Sequence, residues 1–530
     1  MRSLRPLVAV ITLTLAGVAG ESSAQQQQQP APKPGPTEES YRKARAVLAE
    51  ALRAHFGEAG IASVKTLAVK IRGGQFHRQQ SPKADDNPIS TPFQAELISD
   101  FERSWTVWER TGSFPGGIEF SNRWLIKGNE GTNADLLRKT TAPLPNAAAF
   151  AENQNRRHPY YWLRLADSRA ASLRWLGETD VEGAKYNNVA VTTATGGQFN
   201  LFFDAGSKLL MRIESLQSDP MRGDVVAETI IKGYAPVNGM PLPIGQVTKL
   251  GRVRTQDVDY SDWRVNAALD AALFEAPAGL RPAVQSASAS PSAGARAAEP
   301  PSVRDLSGGL YSVEGIAGYR VLFMEFSDHV MVFEAPVNDA TAQIVKRLVK
   351  EKVPAKPIRY VAVTHHHDDH AGSLRSFLAD CVVVITTPGN QNALRAALAA
   401  PFTIAPDELA RKQQAGQWRC PPPLSDYLAE RSATFTDGTR RVELHNIGPS
   451  PHADEMLVAW FPAQKILYQG DLWNREADGT TRPANDTTLH FAEWVAKSGL
   501  PVERIIGVHG PEGTPAQLQE AVRLRRAAGN

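Results

Sequence analysis

The stretch Thr364-His365-His366-His367-Asp368-Asp369-His370-Ala371-Gly372 decides how the C-terminal part of the chain is read. It contains the pattern HxHxDH, which is rare by chance in 530 residues holding 12 histidines. An apolar, strand-like run (Ile358–Val363) precedes it and a helical pattern (Ser373–Ala379) follows. In an extended segment leaving a strand, side chains two apart lie on one side, so His365 and His367 can share one metal ion. Asp369 and His370 then face a second. Imidazole nitrogen and carboxylate oxygen suit zinc, and three protein ligands plus a water leave the open position that catalysis requires. His366 is expected outside both ligand sets, and Asp368 is expected to face away from Asp369 in an extended loop.

Two ions need more ligands than one loop supplies, and three further residues stand just after or at the end of strand-like runs. His452 follows the turn Gly448-Pro-Ser-Pro, Asp471 closes Ile466-Leu-Tyr-Gln-Gly-Asp, and His509 closes Ile505-Ile-Gly-Val-His. Other strand-like runs are Val321–Phe326, Val330–Phe333, Val382–Thr386 and Met456–Phe461. Helical patterns fall at Ala340–Lys350, Asn390–Ala399 and Pro515–Ala528. The last opens with Thr514 as N-cap, Pro515 in the first turn and Gln517 in capping-box position. Such alternation predicts a layered α/β architecture with helices covering sheet faces. Seven positions complete two coordination shells, so His445 and His490 are expected to lie outside them. Trp473 and Tyr468 flank Asp471 either as pocket lining or as packing. Arg523, Arg525 and Arg526 sit where cations offset the negative end of a helix dipole and need no anionic partner.

HxHxDH, a later His after a Gly/Pro-rich turn, a Gly-Asp closing a strand and a final His-Gly together resemble the metallo-β-lactamase superfamily, from about Val303 to the C-terminus. The resemblance implies an αββα sandwich with the ions at the loop-bearing edge of two packed sheets. It implies His365, His367 and His452 as ligands of the first ion, Asp369, His370 and His509 of the second, and Asp471 as the bridge, with Asp369 and Asp471 counted as catalytic. The expected cofactors are two Zn2+, with iron or manganese as alternatives. True β-lactamases of the superfamily commonly carry Cys or Ser where Asp471 stands, whereas glyoxalase II-like and lactonase-like hydrolases carry Asp. The expected chemistry is metal-assisted hydrolysis of an ester, lactone, thioester or amide in a small-molecule substrate. Two other readings stay open: an iron-dependent dioxygenase of the same fold, and a lipid-ligand carrier with a vestigial metal site. The segment from Phe402 to about Thr436, with Cys420-Pro-Pro-Pro, is expected as an inserted loop beside the mouth of the site.

Outward from this region, Arg281–Ser302 is rich in Ala, Ser and Pro without an aromatic residue and is expected to be a flexible linker. Before it, residues 38–280 form a mostly β domain with one leading helix, Glu38 to about Gly57, where apolar residues recur at helical spacing. Short aromatic-rich alternating segments such as Trp105–Glu109 and Phe199–Phe203 predict antiparallel sheet. The tail of this region, from Met240-Pro-Leu-Pro-Ile to Asn266–Pro277, resembles the end of periplasmic lipoprotein-carrier half-barrels. Residues 25–37 are a polar, proline-rich leader expected to be disordered. Residues 1–24 combine Arg2 and Arg5, an apolar run from Leu7 and small residues up to Ala24, the pattern of a cleaved signal peptide, with a retained membrane anchor as the rival reading. Periplasmic or secreted localisation follows as an expectation.

Composition narrows the partners. Lys plus Arg number 58 against 56 Asp plus Glu, a net charge of +2, which offers no broad field for gripping nucleic acid. Beyond the N-terminus no run of 18 or more apolar residues suggests a membrane span. Cys381 and Cys420 either pair in an oxidising compartment or stay as buried thiols. Oligomeric state has no signature in the sequence.

Overall fold

The computed structural model describes residues 35–77, 79–83, 88–115, 118–283, 300–316, 318–420, 431–476 and 479–529. The expected signal peptide and nearly all of the leader lie outside them. Pro36 and Thr37 instead open the first helix, since proline's fixed φ suits the first helical turn.

Residues 36–283 build one fourteen-stranded sheet, which in space runs from the edge strand Arg281–Pro282 to the edge strand Ser172–Val181. Every pairing in it is antiparallel except that of Arg281–Pro282 with Thr140–Pro143. The strand Thr66–His77 lies between Ile89–Asp100 and Val253–Val265, so the chain's first and last long strands of this domain are neighbours. The leading helix Pro36–Phe56 lays Ala44, Leu48 and Ala51 against Val189, Leu201 and Phe203. Two shorter helices, Ala147–Asn155 and Pro159–Asp167, follow the expected leading helix. Their apolar positions sit on few turns, too short a window for helical period to stand out. Arg281 and Pro282 pair with the sheet and Ser302 starts a strand, so both ends of the expected linker are ordered. Residues 284–299 lie outside the described residues.

Residues 302–529 form four layers. A six-stranded sheet (Ser302–Asp305, Leu310–Ile316, Tyr319–Glu325, Val330–Phe333, Ile358–Ala362, Val383–Ile385) faces a five-stranded one. The second sheet consists of Ser432–Thr436, Arg441–Asn446, Leu457–Phe461, Ile466–Gln469 and Arg504–Gly507. Between them lie Met331, Phe333, Leu444, Phe461, Tyr468 and Ile506. Val330–Phe333 and Leu457–Phe461 are buried along their whole length, because apolar residues face both the inter-sheet core and the covering helices. The outer face of the first sheet is covered by Asp339–Lys352, Leu374–Leu378 and Pro388–Ala399. Asp486–Ser498 and Pro515–Ala527 cover the second. This is the expected αββα sandwich. The capping box at Thr514 and Gln517 is present, and Arg525 does find an anion, the Asp486 carboxylate at 2.6 Å.

Cys381 and Cys420 are joined in a disulfide across a sequence separation of 39. The described part of the segment 402–436 is not all loop: Ser432–Thr436 is a strand, and Glu408–Gln414 is a helix whose Leu409 enters the core. Its N-cap Asp407 forms a buried ion pair with Arg375 at 2.5 Å, and Arg375 lies over the Phe402 ring.

The two domains touch at several points. Met221 of the first sits in the apolar cluster beside the first sheet of the second. Asp224 accepts from the backbone of Thr403 and Ile404, and its own N–H donates to the Pro401 carbonyl at 2.7 Å. Gly223 adopts φ +68°, and a Cβ there would stand 1.8 Å from that carbonyl oxygen, so only glycine fits this approach.

Candidate metal centre

All seven side chains expected as ligands converge at one edge of the two sheets. His365, His367 and His452 form one group, and Asp369, His370, Asp471 and His509 form the adjoining one. In each group the candidate ligand atoms lie within 4.8 Å of one another. His365 and His367 leave the strand Ile358–Ala362, while Asp369 and His370 lie on the one-turn helix Asp368–Ala371 that follows. The others come from turns after strands of the second sheet. Gly470 lets the segment carrying Asp471 press close: a Cβ there would meet Thr364 Oγ1 at 2.7 Å and His365 Nδ1 at 3.3 Å.

The nitrogens facing the first position are distinguishable. His365 Nε2 stands 2.9 Å from His367 Nδ1 and 3.1 Å from His452 Nε2. The opposite nitrogens are tied outward, His365 Nδ1 to Thr364 Oγ1 at 3.0 Å and His367 Nε2 to the Ser81 carbonyl at 3.0 Å. Such outward bonds fix the tautomer and ring angle of metal-binding imidazoles. In the second group Asp471 Oδ2 lies 3.3 Å from His370 Nε2 and 3.6 Å from His452 Nε2, and so spans both groups. Asp471 Oδ1 lies 3.4 Å from His509 Nε2, and Asp369 Oδ2 lies 3.6 Å from His370 Nε2.

Electrostatics separate the two halves. Burial holds His365 and His367 well below the ordinary imidazole range, and neighbouring imidazoles add to it, so both stay neutral as ligands must be. Burial also lowers His452, with the Asp471 carboxylate opposing it. Burial works against protonation of His370 and His509 as well, but the charges of Asp369 and Asp471 outweigh it, joined at His370 by Glu334, and both imidazoles are raised. Asp471 is held well below the usual carboxylate range despite its burial, by His370 and His509. The second half is thus a buried anionic cluster calling for positive charge.

The residues fit divalent ions. His370 Nε2 and Asp471 Oδ1 are buried without a hydrogen-bond partner, a costly condition for polar atoms that a coordinated cation removes. The donor set of imidazole and carboxylate suits zinc, iron and manganese alike.

His366 belongs to neither group; its Nδ1 lies 3.2 Å from Asn390 Oδ1. His445 lies beside Glu443 and Trp494, away from the centre, and His490 is in neither group. Tyr468 is fully buried and donates to the Arg320 carbonyl, and Trp473 belongs to the core under the second helix layer, so both are packing. Asp368 corrects its expectation. The loop turns into a helix at this residue, and the Gln80 amide donates to Asp368 Oδ1 and Asp369 Oδ1 together.

Besides Gln80 and Ser81, three contributors escape sequence reasoning. Glu334, fully buried, accepts from the Thr364 N–H and places Oε2 3.5 Å from His370 Nδ1; an acid ending the apolar run Val330–Phe333 is the signal that could have found it. Tyr319 stacks edge-on against His509 at 4.7 Å, and its hydroxyl is pushed up by burial and by the charges of Asp369, Asp471 and Asp368. Arg320 donates to the Gly507 and Gly510 carbonyls and so braces the turn carrying His509.

An αββα sandwich with paired His/Asp groups at its edge is a hydrolase-like fold whose residues could hold divalent metal. Residues 323–509 match the family model described as the metallo-beta-lactamase superfamily, and the C-terminal region carries a domain of that fold. Among curated proteins the chain is similar to the 2,4-dinitroanisole O-demethylase subunit alpha of Nocardioides sp. (strain JS1661), 23% identical over 154 residues. That match covers 29% of this chain, and the chain spans 40% of the relative's length. Similar solved structures include the metallo-β-lactamase FIM-1 from Pseudomonas aeruginosa in its mono-zinc form (16% identity, TM-score 0.33, covering 44% of this chain and 97% of that one). A metallo-β-lactamase from Pontibacter korlensis is another (18% identity, TM-score 0.30, 43% and 99%).

Proposed function

We propose that the chain is an exported hydrolase of small molecules that works with two divalent metal ions, zinc in the first instance. The observation that carries this reading is the convergence of seven ligand-type side chains into two adjoining groups, with Asp471 reaching from one to the other. When bound, such a pair of ions supplies a water activated near neutral pH and Lewis-acid polarisation of the substrate's electrophilic centre.

The chain's own residues do the rest. His365, His367 and His452 offer neutral nitrogens to one ion, and Asp369, His370 and His509 hold the other. Asp471 would contribute a charge that offsets part of the cationic load, from a position that reaches both groups. Tyr319 and His509 wall one side of the centre. The bond cleaved is an ester, lactone, thioester or amide. Export rests on the composition of residues 1–24 and places the protein in the periplasm or outside the cell.

The test is metal analysis of the purified chain followed by a panel of ester, lactone, thioester, amide and β-lactam substrates. Because a curated relative is named for 2,4-dinitroanisole, that aryl methyl ether belongs in the panel. Zinc-dependent turnover of a panel member supports the proposal. Tightly held iron with consumption of oxygen would replace it by an oxygenase reading.

A further inference from the structure

Between the strands Thr66–His77 and Ile89–Asp100 of the first domain, residues 79–83 run across the metal centre of the second. Gln80 Nε2 donates to Asp369 Oδ1 at 2.9 Å and to Asp368 Oδ1 at 3.1 Å. The next residue, Ser81, offers its carbonyl to His367 Nε2. The Pro82 carbonyl accepts from the Asp454 N–H at 2.9 Å, two residues beyond His452. Three consecutive residues of one domain thus hold two of the four ligand-bearing loops of the other.

We propose that the first domain completes the metal centre, with Gln80 as a positioning residue for Asp369 and the Ser81 carbonyl as one for His367. The inference rests on the two-ion reading above. A bond from Gln80 to Oδ1 of Asp369 leaves Oδ2, the oxygen nearest His370 and His509, to face the ion. The neutral amide donating to two adjacent carboxylates also offsets their mutual repulsion. At His367 the Ser81 carbonyl selects the Nε2–H tautomer and so frees the Nδ1 lone pair toward His365 and His452. One ligand in each group is therefore oriented by a segment far away in sequence. Partners of this kind typically change metal affinity by about 10- to 100-fold when removed.

The test uses the full-length chain and compares wild type with Gln80→Ala, Gln80→Glu (equal in size, donor replaced by a carboxylate) and Lys83→Ala, a rim position of the same segment. Affinities for zinc are measured by chelator competition, the site is read by the absorption spectrum of the cobalt-substituted protein, and the melting temperature of the metal-free protein reports the fold. Both Gln80 variants should lose about 10- to 100-fold in affinity for one ion and alter the cobalt spectrum, with the metal-free melting temperature kept. Lys83→Ala should match wild type. If Gln80→Ala fails to fold, Gln80→Glu decides. Wild-type affinities and spectra in the Gln80 variants, beside a wild type holding both ions, would overturn this proposal alone. A wild type that binds no metal would overturn the two-ion reading and this inference with it.

Discussion

His367 and Ser81, 286 residues apart in the chain, meet in a 3.0 Å hydrogen bond between an imidazole nitrogen and a backbone carbonyl. The candidate metal centre therefore draws on both domains. The sandwich supplies the candidate ligands, and the turn between the strands Thr66–His77 and Ile89–Asp100 supplies a partner for one of them.

Asp471 is the residue whose loss should cost most. Its Oδ2 reaches toward both His370 and His452, and a neutral amide cannot replace its charge. Asp471→Asn should bind less metal and reduce turnover by about 100-fold or more while keeping the fold, as judged by metal content and kinetics. His366→Ala, whose imidazole faces Asn390, should do far less. The reverse ranking would mean that the ligand set is built around the middle histidine.

Glu334 holds His370 from behind. Glu334→Gln keeps an oxygen for the Thr364 N–H but removes the charge beside His370 Nδ1. Metal affinity should fall by about 10- to 100-fold, measured by chelator competition. Unchanged affinity would reduce Glu334 to a packing role.

The Cys381–Cys420 bond closes a loop with a sequence separation of 39, worth about 3–4 kcal/mol by the chain-entropy model. Urea unfolding of Cys420→Ser, or of wild type under reductant, should show a loss of that order. Coincident unfolding curves would show that the crosslink constrains nothing.

How much of this was legible follows from where each signal sits. Six of the seven candidate ligands lie in or just after apolar strand-like runs and the seventh, His452, after a Gly/Pro turn, so a local pattern exposes them. The sandwich strands were legible for the same reason, because runs such as Val330–Phe333 are apolar on both faces. Gln80 and Ser81 carry no such mark: a polar pair in a turn acquires its role only when two domains come together. Alternation ends at Asp368, where the chain turns into a helix, and nothing in the local pattern marks that point. Leu409 and Asp407 gain their burial from contacts with distant residues such as Arg375, which no local pattern marks.

Export is a separate expectation. Mass spectrometry of the mature protein from its native compartment should find an N-terminus near Gln25. Survival of Met1 in exported protein would contradict cleavage.

The most direct measurement is elemental analysis of the full-length chain purified after growth with zinc. The two adjoining groups of ligand-type side chains predict two transition-metal ions per chain. A metal content near zero would contradict the account at its root.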